Sequence, residues 1–164
     1  SAVDSEHRRI EAPAKVFTSQ EAFVTAFKAG ELERDLVVVV SGQGPRASGM
    51  RPLHSLTPYL GVLQNKGFRV ALVTDGRMSG ASGKVLAAIQ VTPEAVDGGA
   101  IACIEDGDFV TIDAEAGELT VAADLRARKP REFDVSPHRE GMGRELFSVF
   151  RGAVAAADAG AGIF

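Results

Sequence analysis

Residues 70–84 read VALVTDGRMSGASGK and join an apolar run to a polar, glycine-rich turn. The run 70–73 has the composition of a buried strand, whereas the eleven residues 74–84 hold three glycines, two serines, an aspartate, an arginine and a lysine. A turn that only reverses the chain needs one or two such residues. The pattern therefore predicts a functional loop at the end of a buried strand.

A second glycine-rich loop follows a second apolar run. Residues 36–40 read LVVVV, a continuous β-branched run that is typical of a strand covered on both faces. The next segment, 41–52, carries three glycines and two prolines. Loops at the carboxyl ends of strands hold ligands in many folds. The two loops therefore indicate a mixed α and β domain with ligands at the carboxyl ends of its strands.

Periodicity predicts the other elements. Residues 9–17 partly alternate and predict an edge strand, where Pro13 costs least. Thr18 and Glu21 form a capping box for a helix that Gly30 closes. The remaining predictions, in chain order, are a helix over 53–64, a strand over 69–74, a short helix over 84–90, strands over 100–104, 109–113 and 118–121 with turns at 105–108 and near 117, a solvated basic linker over 126–131, and a helical segment from 139.

Length and composition narrow the class of protein. The 164 residues suit one domain, 9–164, after a flexible segment 1–8. A net charge of −4 without a basic stripe argues against nucleic acid as a partner. The sequence has neither an apolar run of ~20 residues nor a signal peptide, so we expect a cytoplasmic protein without a membrane span.

Single residues argue against further classes of binding site and of protein. Cys103, the one cysteine, lies in an apolar stretch and is expected to be a small buried hydrophobe. One thiolate excludes an internal disulfide and an iron–sulfur or zinc site built from this chain's cysteines alone. Tyr59 is the one tyrosine and tryptophan is absent, which weakens a carbohydrate-binding module. His54 and His138 stand alone in the sequence and are expected to be surface or packing residues.

The loop after the run 70–73 carries chemistry but completes no phosphate motif. Lys84 follows Gly83, yet Met78 and Val85 occupy the positions where a phosphate loop needs its first glycine and its hydroxyl. Backbone amides ahead of a helix, with cationic side chains alongside, favour an anion site about as well as a solvated turn. The chemistry of the residues leaves these two interpretations open.

Ser79 is the hydroxyl in this loop that could act as a base. An ordinary serine does not give up its proton near neutral pH without a neighbouring group that lowers its pKa. No histidine or aspartate nearby in the sequence completes a triad. Chemistry alone therefore favours a turn or capping serine.

Longer stretches resemble a known family. VALVTDGRMSGASGK, GGAIACIEDGDFVTIDAEAGEL at 98–119 and GRELFSVFRGAVAAADAGAGIF at 143–164 are similar to the carboxyl-terminal part of the dihydroxyacid and phosphogluconate dehydratases, and QGPRASGM at 43–50 resembles the family's upstream loop. Met78, SGASGK and GRELF resemble the 6-phosphogluconate branch more than the dihydroxyacid branch. The resemblance implies an α/β mixed fold, a swivelling β/β/α domain with a barrel-like mixed sheet and flanking helices.

The resemblance also implies a reaction. It is the removal of water from 6-phospho-D-gluconate, which gives 2-keto-3-deoxy-6-phosphogluconate in the Entner–Doudoroff pathway. In such a lyase an iron–sulfur cluster polarises the leaving C3 hydroxyl and magnesium steadies the carboxylate. Ser79 is then the base for the C2 proton, activated by the nearby metal. The substrate-binding set that the family implies is Asp75, Gly76, Arg77, Gly80, Ser82 and Lys84.

The sequence departs from the family pattern in three places. The family's cluster cysteines lie in an amino-terminal domain that this sequence lacks, so we expect a chain that binds neither cofactor alone and does not catalyse alone. Pro52 stands where the family has a metal-binding glutamate, and Gln90 stands where a histidine is expected. The family's enzymes are dimeric, so the resemblance implies a second copy as a partner. The family's amino-terminal domain is the other partner that the resemblance implies.

Two further hypotheses stay open. One is a dehydratase for another sugar acid, which would not need the phosphate group for turnover. The other is a non-catalytic domain that keeps the fold and binds a phosphosugar or a partner protein. Pro52 and the missing cysteines motivate this second hypothesis.

Overall fold

The computed structural model describes residues 3–49, 51–79, 83–141 and 143–163, which form a mixed α/β domain. Its strands are β1 (Arg9–Phe17), β2 (Leu36–Val40), β3 (Val70–Thr74), β4 (Leu86–Ala88), β5 (Phe109–Asp113) and β6 (Glu118–Val121). The α-helices of the described residues are α1 (Gln20–Lys28), α2 (Pro45–Ser48), α3 (Leu56–Asn65) and α4 (Ser148–Ala153). The strands form one mixed sheet in the order β4-β3-β2-β1-β5-β6, which curls into half a barrel. The expected architecture, a barrel-like mixed sheet with flanking helices, is confirmed.

β1 has two partners and changes from one to the other at Pro13. Residues 9–13 pair antiparallel with β5, and residues 14–17 pair parallel with β2. Proline has no N–H to donate to a neighbouring strand. Pro13 therefore fits at the position where β1 changes partner, because the sheet does not need a hydrogen bond from that residue. β1 is therefore an interior strand, and the prediction of an edge strand is wrong.

β2 and β3 lie inside the sheet with both faces covered. Every residue of the two strands is buried, as their unbroken apolar runs predict. Because β1, β2 and β3 run parallel, their carboxyl ends and the loops that follow lie at one edge of the sheet. On the face covered by α1 and α3, the buried side chains include Phe23, Leu56, Leu60 and Leu63.

The two ends of α1 test the capping predictions. Ser19 caps the helix, because its hydroxyl accepts a hydrogen bond from the amide of Ala22 at 3.1 Å. The predicted capping box of Thr18 with Glu21 is therefore wrong by one residue. Gly30 closes the helix as predicted, with a φ of 75° that suits a glycine.

Two predicted helices differ from the structure. α3 begins at Leu56, three residues after the predicted start at 53. The short helix predicted over 84–90 is wrong, because residues 86–88 form β4 and pair parallel with β3, with Leu86 opposite Ala71. The open edge of β3 and the burial of Val85 and Leu86 outweigh the helix propensity of so short a segment.

The strand predicted over 100–104 is also wrong. Ala100–Cys103 forms a 3₁₀ turn, so the turn at 105–108 does not join two strands of a hairpin. β5 and β6 form the hairpin that was predicted over 109–121. Cys103 is buried, as expected from its apolar surroundings.

The basic stretch 126–131 is a solvated linker only in part: residues 126, 127, 129 and 130 are exposed, whereas Arg128 and Arg131 are half-buried and bonded to other segments. Nη2 of Arg128 donates to Oδ1 of Asp108 at 3.0 Å, and Nη1 donates to the other oxygen of that carboxylate. The amide of Arg131 donates to the carbonyl of Ala102 at 3.0 Å. The stretch packs on the 3₁₀ turn at 100–103, which sequence periodicity does not reveal.

The two ends of the chain carry little regular structure. A 3₁₀ turn spans Ser5–His7 and Val3 is buried against the sheet, while the flexibility of residues 1–8 stays a prediction. The helical segment expected from 139 is a 3₁₀ turn at Arg144–Phe147 followed by α4. Across all described residues, no helix is long and apolar enough to cross a membrane. Four large apolar side chains of the tail are exposed, namely Leu146, Phe147, Val149 and Phe150.

Candidate functional site

The two glycine-rich loops meet at Leu53. The amide of Leu53 donates to the carbonyl of Arg77 at 2.8 Å, and the amide of Ser79 donates to the carbonyl of Leu53 at 2.8 Å. Leu53 and Met78 thus form a short parallel bridge. Leu53 is fully buried, whereas Ser79 is exposed at the outer end of the bridge. The bridge fixes the backbone of the loop that carries Ser79.

Asp75 lies beneath this loop and binds backbone. Its carboxylate accepts hydrogen bonds from the amides of Gly42 at 3.0 Å, Gln43 at 2.9 Å and Ala95 at 3.0 Å. Burial raises the pKa of Asp75, and these amide donors oppose the rise. Asp75 is fully buried, and its carboxylate ties three segments of the chain together.

A second buried carboxylate, Glu94, holds the loop that follows β2. Its oxygens accept from the amide of Arg46 at 3.1 and 3.2 Å. A Cβ added to Gly44 would lie 2.1 Å from Oε2 of Glu94, so the carboxylate fits only beside a glycine. Burial raises the pKa of Glu94, the amide of Arg46 opposes the rise, and the charge of Asp75 adds to it. Sequence reasoning missed Glu94, because its partners lie 48 residues away.

The other predicted loop residues occupy inner and outer positions. Gly76 is buried, and a Cβ added there would lie 2.9 Å from the Cβ of Gln43, so Gly76 shapes the loop. Arg77 and Lys84 are exposed. The predicted substrate-binding residues Gly80 and Ser82 lie outside the described residues.

The helix that was expected after Lys84 is the strand β4. The loop therefore runs into a strand and does not present a helix N-terminus that could attract an anion. The exposed guanidinium of Arg77 and ammonium of Lys84 remain as the cationic groups of the loop.

The side chains that the structure describes do not form a site for a metal ion or an iron–sulfur cluster. Pro52, at the family's glutamate position, is half-buried and has no side-chain oxygen. Within 3–49, 51–79, 83–141 and 143–163, no group of three or more His, Cys, Asp or Glu side chains is placed to hold a metal ion. The thiol of Cys103 is buried, with its sulfur 3.8 Å from the carbonyl of Arg128.

Comparisons with known proteins identify the family. A model of the C-terminal part of dihydroxy-acid/6-phosphogluconate dehydratases matches residues 1–161. Proteins named phosphogluconate dehydratase from Pseudomonas aeruginosa and Escherichia coli are 56% and 55% identical over 98% of this chain. A dihydroxy-acid dehydratase of Caldanaerobacter subterraneus is 44% identical over 74% of it. The chain belongs to the dihydroxy-acid/6-phosphogluconate dehydratase C-terminal family.

The relatives are much longer than this chain. The chain spans 27% of the length of the two phosphogluconate dehydratases and 22% of the dihydroxy-acid dehydratase. The higher identity and wider coverage of the first two confirm the resemblance to the 6-phosphogluconate branch.

Proposed function

We propose that this chain acts as the C-terminal domain of a phosphogluconate dehydratase, a hydro-lyase. The observation that carries the proposal is the 54–56% identity over 98% of the chain to three relatives of that name. The dihydroxy-acid relative is less similar and matches a smaller share of the chain. The full-length protein that contains this chain is called the parent protein below.

The reaction proposed for the parent protein removes water from 6-phospho-D-gluconate. A base takes the proton from C2, the hydroxyl group leaves C3, and the enol that results tautomerises to 2-keto-3-deoxy-6-phosphogluconate. We assign the base to Ser79. The assignment is supported by its position, because Ser79 is exposed while its backbone is bonded to the buried Leu53.

The remaining loop residues receive supporting roles. Arg77 and Lys84 are exposed on the same loop and are assigned to substrate contact, together with Gly80 and Ser82. Asp75 and Gly76 are buried and are assigned to the shape of the loop. A group that holds the backbone in place acts on catalysis through positioning.

An iron–sulfur cluster and magnesium belong to the proposal for the parent protein. The described side chains of this chain fit neither group, so both would be held by the rest of the parent protein. The proposed cellular location is the cytoplasm.

The rest of the parent protein is also the proposed partner of the exposed apolar residues at 146–150. The relatives contain about three-quarters of their length beyond the region that this chain matches. A cluster of exposed apolar side chains on one short helical segment is typical of a covered contact surface. We assign that surface to the amino-terminal part of the same polypeptide, and we propose that the parent protein forms a dimer.

The experiment that tests the proposed function is the anaerobic rate of 6-phosphogluconate dehydration by the reconstituted parent protein. We expect Ser79→Ala to lower kcat by about 100-fold or more, the size of a positioned acid–base contribution. Ser5→Ala, at an exposed serine of the first 3₁₀ turn, is the matched control and should leave kcat unchanged.

Two outcomes would overturn parts of the proposal. An inactive wild-type parent protein with both cofactors supplied would reject the lyase and favour a binding domain. Turnover of an unphosphorylated sugar acid at an equal kcat/KM would instead favour a dehydratase for another substrate.

A further inference from the structure

A cavity of about 440 Å³ lies between the start of α1, the loops after β2 and the tail after β6. It lies at the carboxyl ends of β1 and β2, because Thr18 directly follows β1 and Gly42 lies just after β2. That edge is where open sheets with parallel strands bind ligands. The wall of the cavity includes Thr18, Gly42, Arg51, His138 and Arg144.

The cavity adjoins the loop that carries Ser79. Arg51 precedes by two residues Leu53, whose backbone binds both Arg77 and Ser79. Two residues of extended chain span at most about 7 Å. The wall of the cavity and the proposed base therefore belong to one hydrogen-bonded strip of backbone.

Three basic side chains line the cavity. Burial lowers the pKa of His138, and the charges of Arg51 and Arg144 lower it further. Both guanidinium groups and the imidazole line the same cavity. Glu21 opposes them, with a carboxylate oxygen 3.6 Å from Nη2 of Arg51. The positive groups in the wall of the cavity are therefore the guanidinium groups of Arg51 and Arg144, with the imidazole of His138 beside them.

The other carboxylates in the wall have partners of their own. Glu132 pairs with Lys129 at 2.8 Å, and Asp134 accepts from the amide of Ser136 at 2.9 Å. Arg144, by contrast, donates to neutral carbonyl oxygens, one of them that of Pro137 at 2.7 Å. A bond to a carbonyl orients a guanidinium and leaves its charge in place.

We propose that this cavity binds the phosphate group of the substrate, with the guanidinium groups of Arg51 and Arg144 as its cationic donors and the imidazole of His138 as a third, neutral N–H donor. Guanidinium groups suit phosphate because their planar N–H donors match its oxygens. The inference rests on the proposed function, since phosphate is the group that sets 6-phospho-D-gluconate apart from an unphosphorylated sugar acid. The proposed phosphate contacts lie in the tail and in the loop before Leu53, and Lys84 is not among them.

The first test measures binding of inorganic phosphate by calorimetry to the parent protein. Arg144→Gln should weaken phosphate binding by about 10-fold or more, the size expected for one charge-assisted hydrogen bond, and Arg144→Lys should restore part of it. Arg34→Gln is the matched control, because Arg34 is exposed just before β2, at the opposite edge of the sheet. Its phosphate affinity should equal that of the wild type.

The second test separates binding from chemistry. In Arg144→Gln the KM for 6-phosphogluconate should rise about 10-fold while kcat stays within about 3-fold, as expected for a group that holds substrate and transition state alike. Equal phosphate affinity of the wild type and a folded Arg144→Gln variant would overturn the inference. A parent protein that binds phosphate through Arg144 but does not dehydrate 6-phosphogluconate would reject the proposed function and keep the phosphate site.

Discussion

The amide of Ser79 donates to the carbonyl of Leu53 at 2.8 Å, and this bond joins the loop after β3 to the loop before α3. The side chain of Leu53 is fully buried in the apolar layer that also holds Leu56 and Leu60. The backbone of the proposed base is therefore attached to the core on one side and reaches solvent on the other.

Truncation of Leu53 should weaken both the fold and this attachment. We expect Leu53→Ala to lower the free energy of unfolding by about 2–5 kcal/mol, since it removes a fully buried leucine side chain. Urea unfolding measures the loss. In this 164-residue chain taken alone, Leu146→Ala is the control, because Leu146 is 81% exposed there and its truncation should cost less than about 0.5 kcal/mol. Similar losses in both variants would contradict the packing described here.

Gly44 and Gly61 should respond to alanine in opposite directions. A Cβ on Gly44 would meet Oε2 of Glu94 at 2.1 Å, so Gly44→Ala should destabilise by about 1–3 kcal/mol. Gly61 lies inside α3 and its added Cβ would meet no described atom within 4 Å, so Gly61→Ala should stabilise by about 0.5–1 kcal/mol. Thermal melts of the two variants measure the difference, and a shift of the same sign in both would refute it.

Glu94 should make stability depend on pH. Its native pKa is raised by burial, so its contribution to the free energy of unfolding is full below the unfolded value of about 4.3 and is lost as the pH rises through the native value. The wild type should therefore lose stability relative to Glu94→Gln as the pH rises above about 4.3. Urea unfolding at several pH values measures the free energy of unfolding of both proteins, and a wild type that gains stability relative to Glu94→Gln with rising pH would show that the sign is wrong.

The exposed tail should become covered in the parent protein. A charge at Val149, which is 75% exposed here, would have to be buried against the amino-terminal part of the polypeptide. We expect Val149→Asp to increase hydrogen exchange across α4 in the parent protein. Val62→Asp, at a 43% exposed position on α3, is the control and should leave that exchange unchanged. Unchanged exchange in both variants would indicate that another part of the molecule forms the contact.

Local patterns predicted the elements that depend on local chemistry. The buried strands β2 and β3, the closure of α1 at Gly30, and the β5–β6 hairpin follow from apolar runs and turn residues. The wrong predictions concern segments whose structure depends on contacts with residues far away in the chain. Residues 86–88 become a strand because β3 offers a free edge, and Arg128 is held by Asp108, twenty residues earlier.

The candidate site shows the same division. The glycine-rich loops and Ser79 stand out in the sequence, since their composition is unusual for simple turns. The buried carboxylate of Glu94 and the basic cavity do not, because their parts come from segments that are far apart in the chain. The sequence predicts Asp75 as a site residue. Its hydrogen bonds from the amides of Gly42 and Ala95 depend on the folded chain and could not be predicted.

The change of partner at Pro13 has a consequence for synthesis on the ribosome. Arg9 pairs with Asp113, about a hundred residues later, whereas the parallel half of β1 pairs with β2 only some twenty residues away. The parallel half can therefore assemble while the chain is still emerging, and the antiparallel half must wait for β5. If synthesis stops soon after β4, residues 9–13 have no β5 to pair with. Their unpaired backbone N–H and C=O groups can then pair with another chain, which favours aggregation.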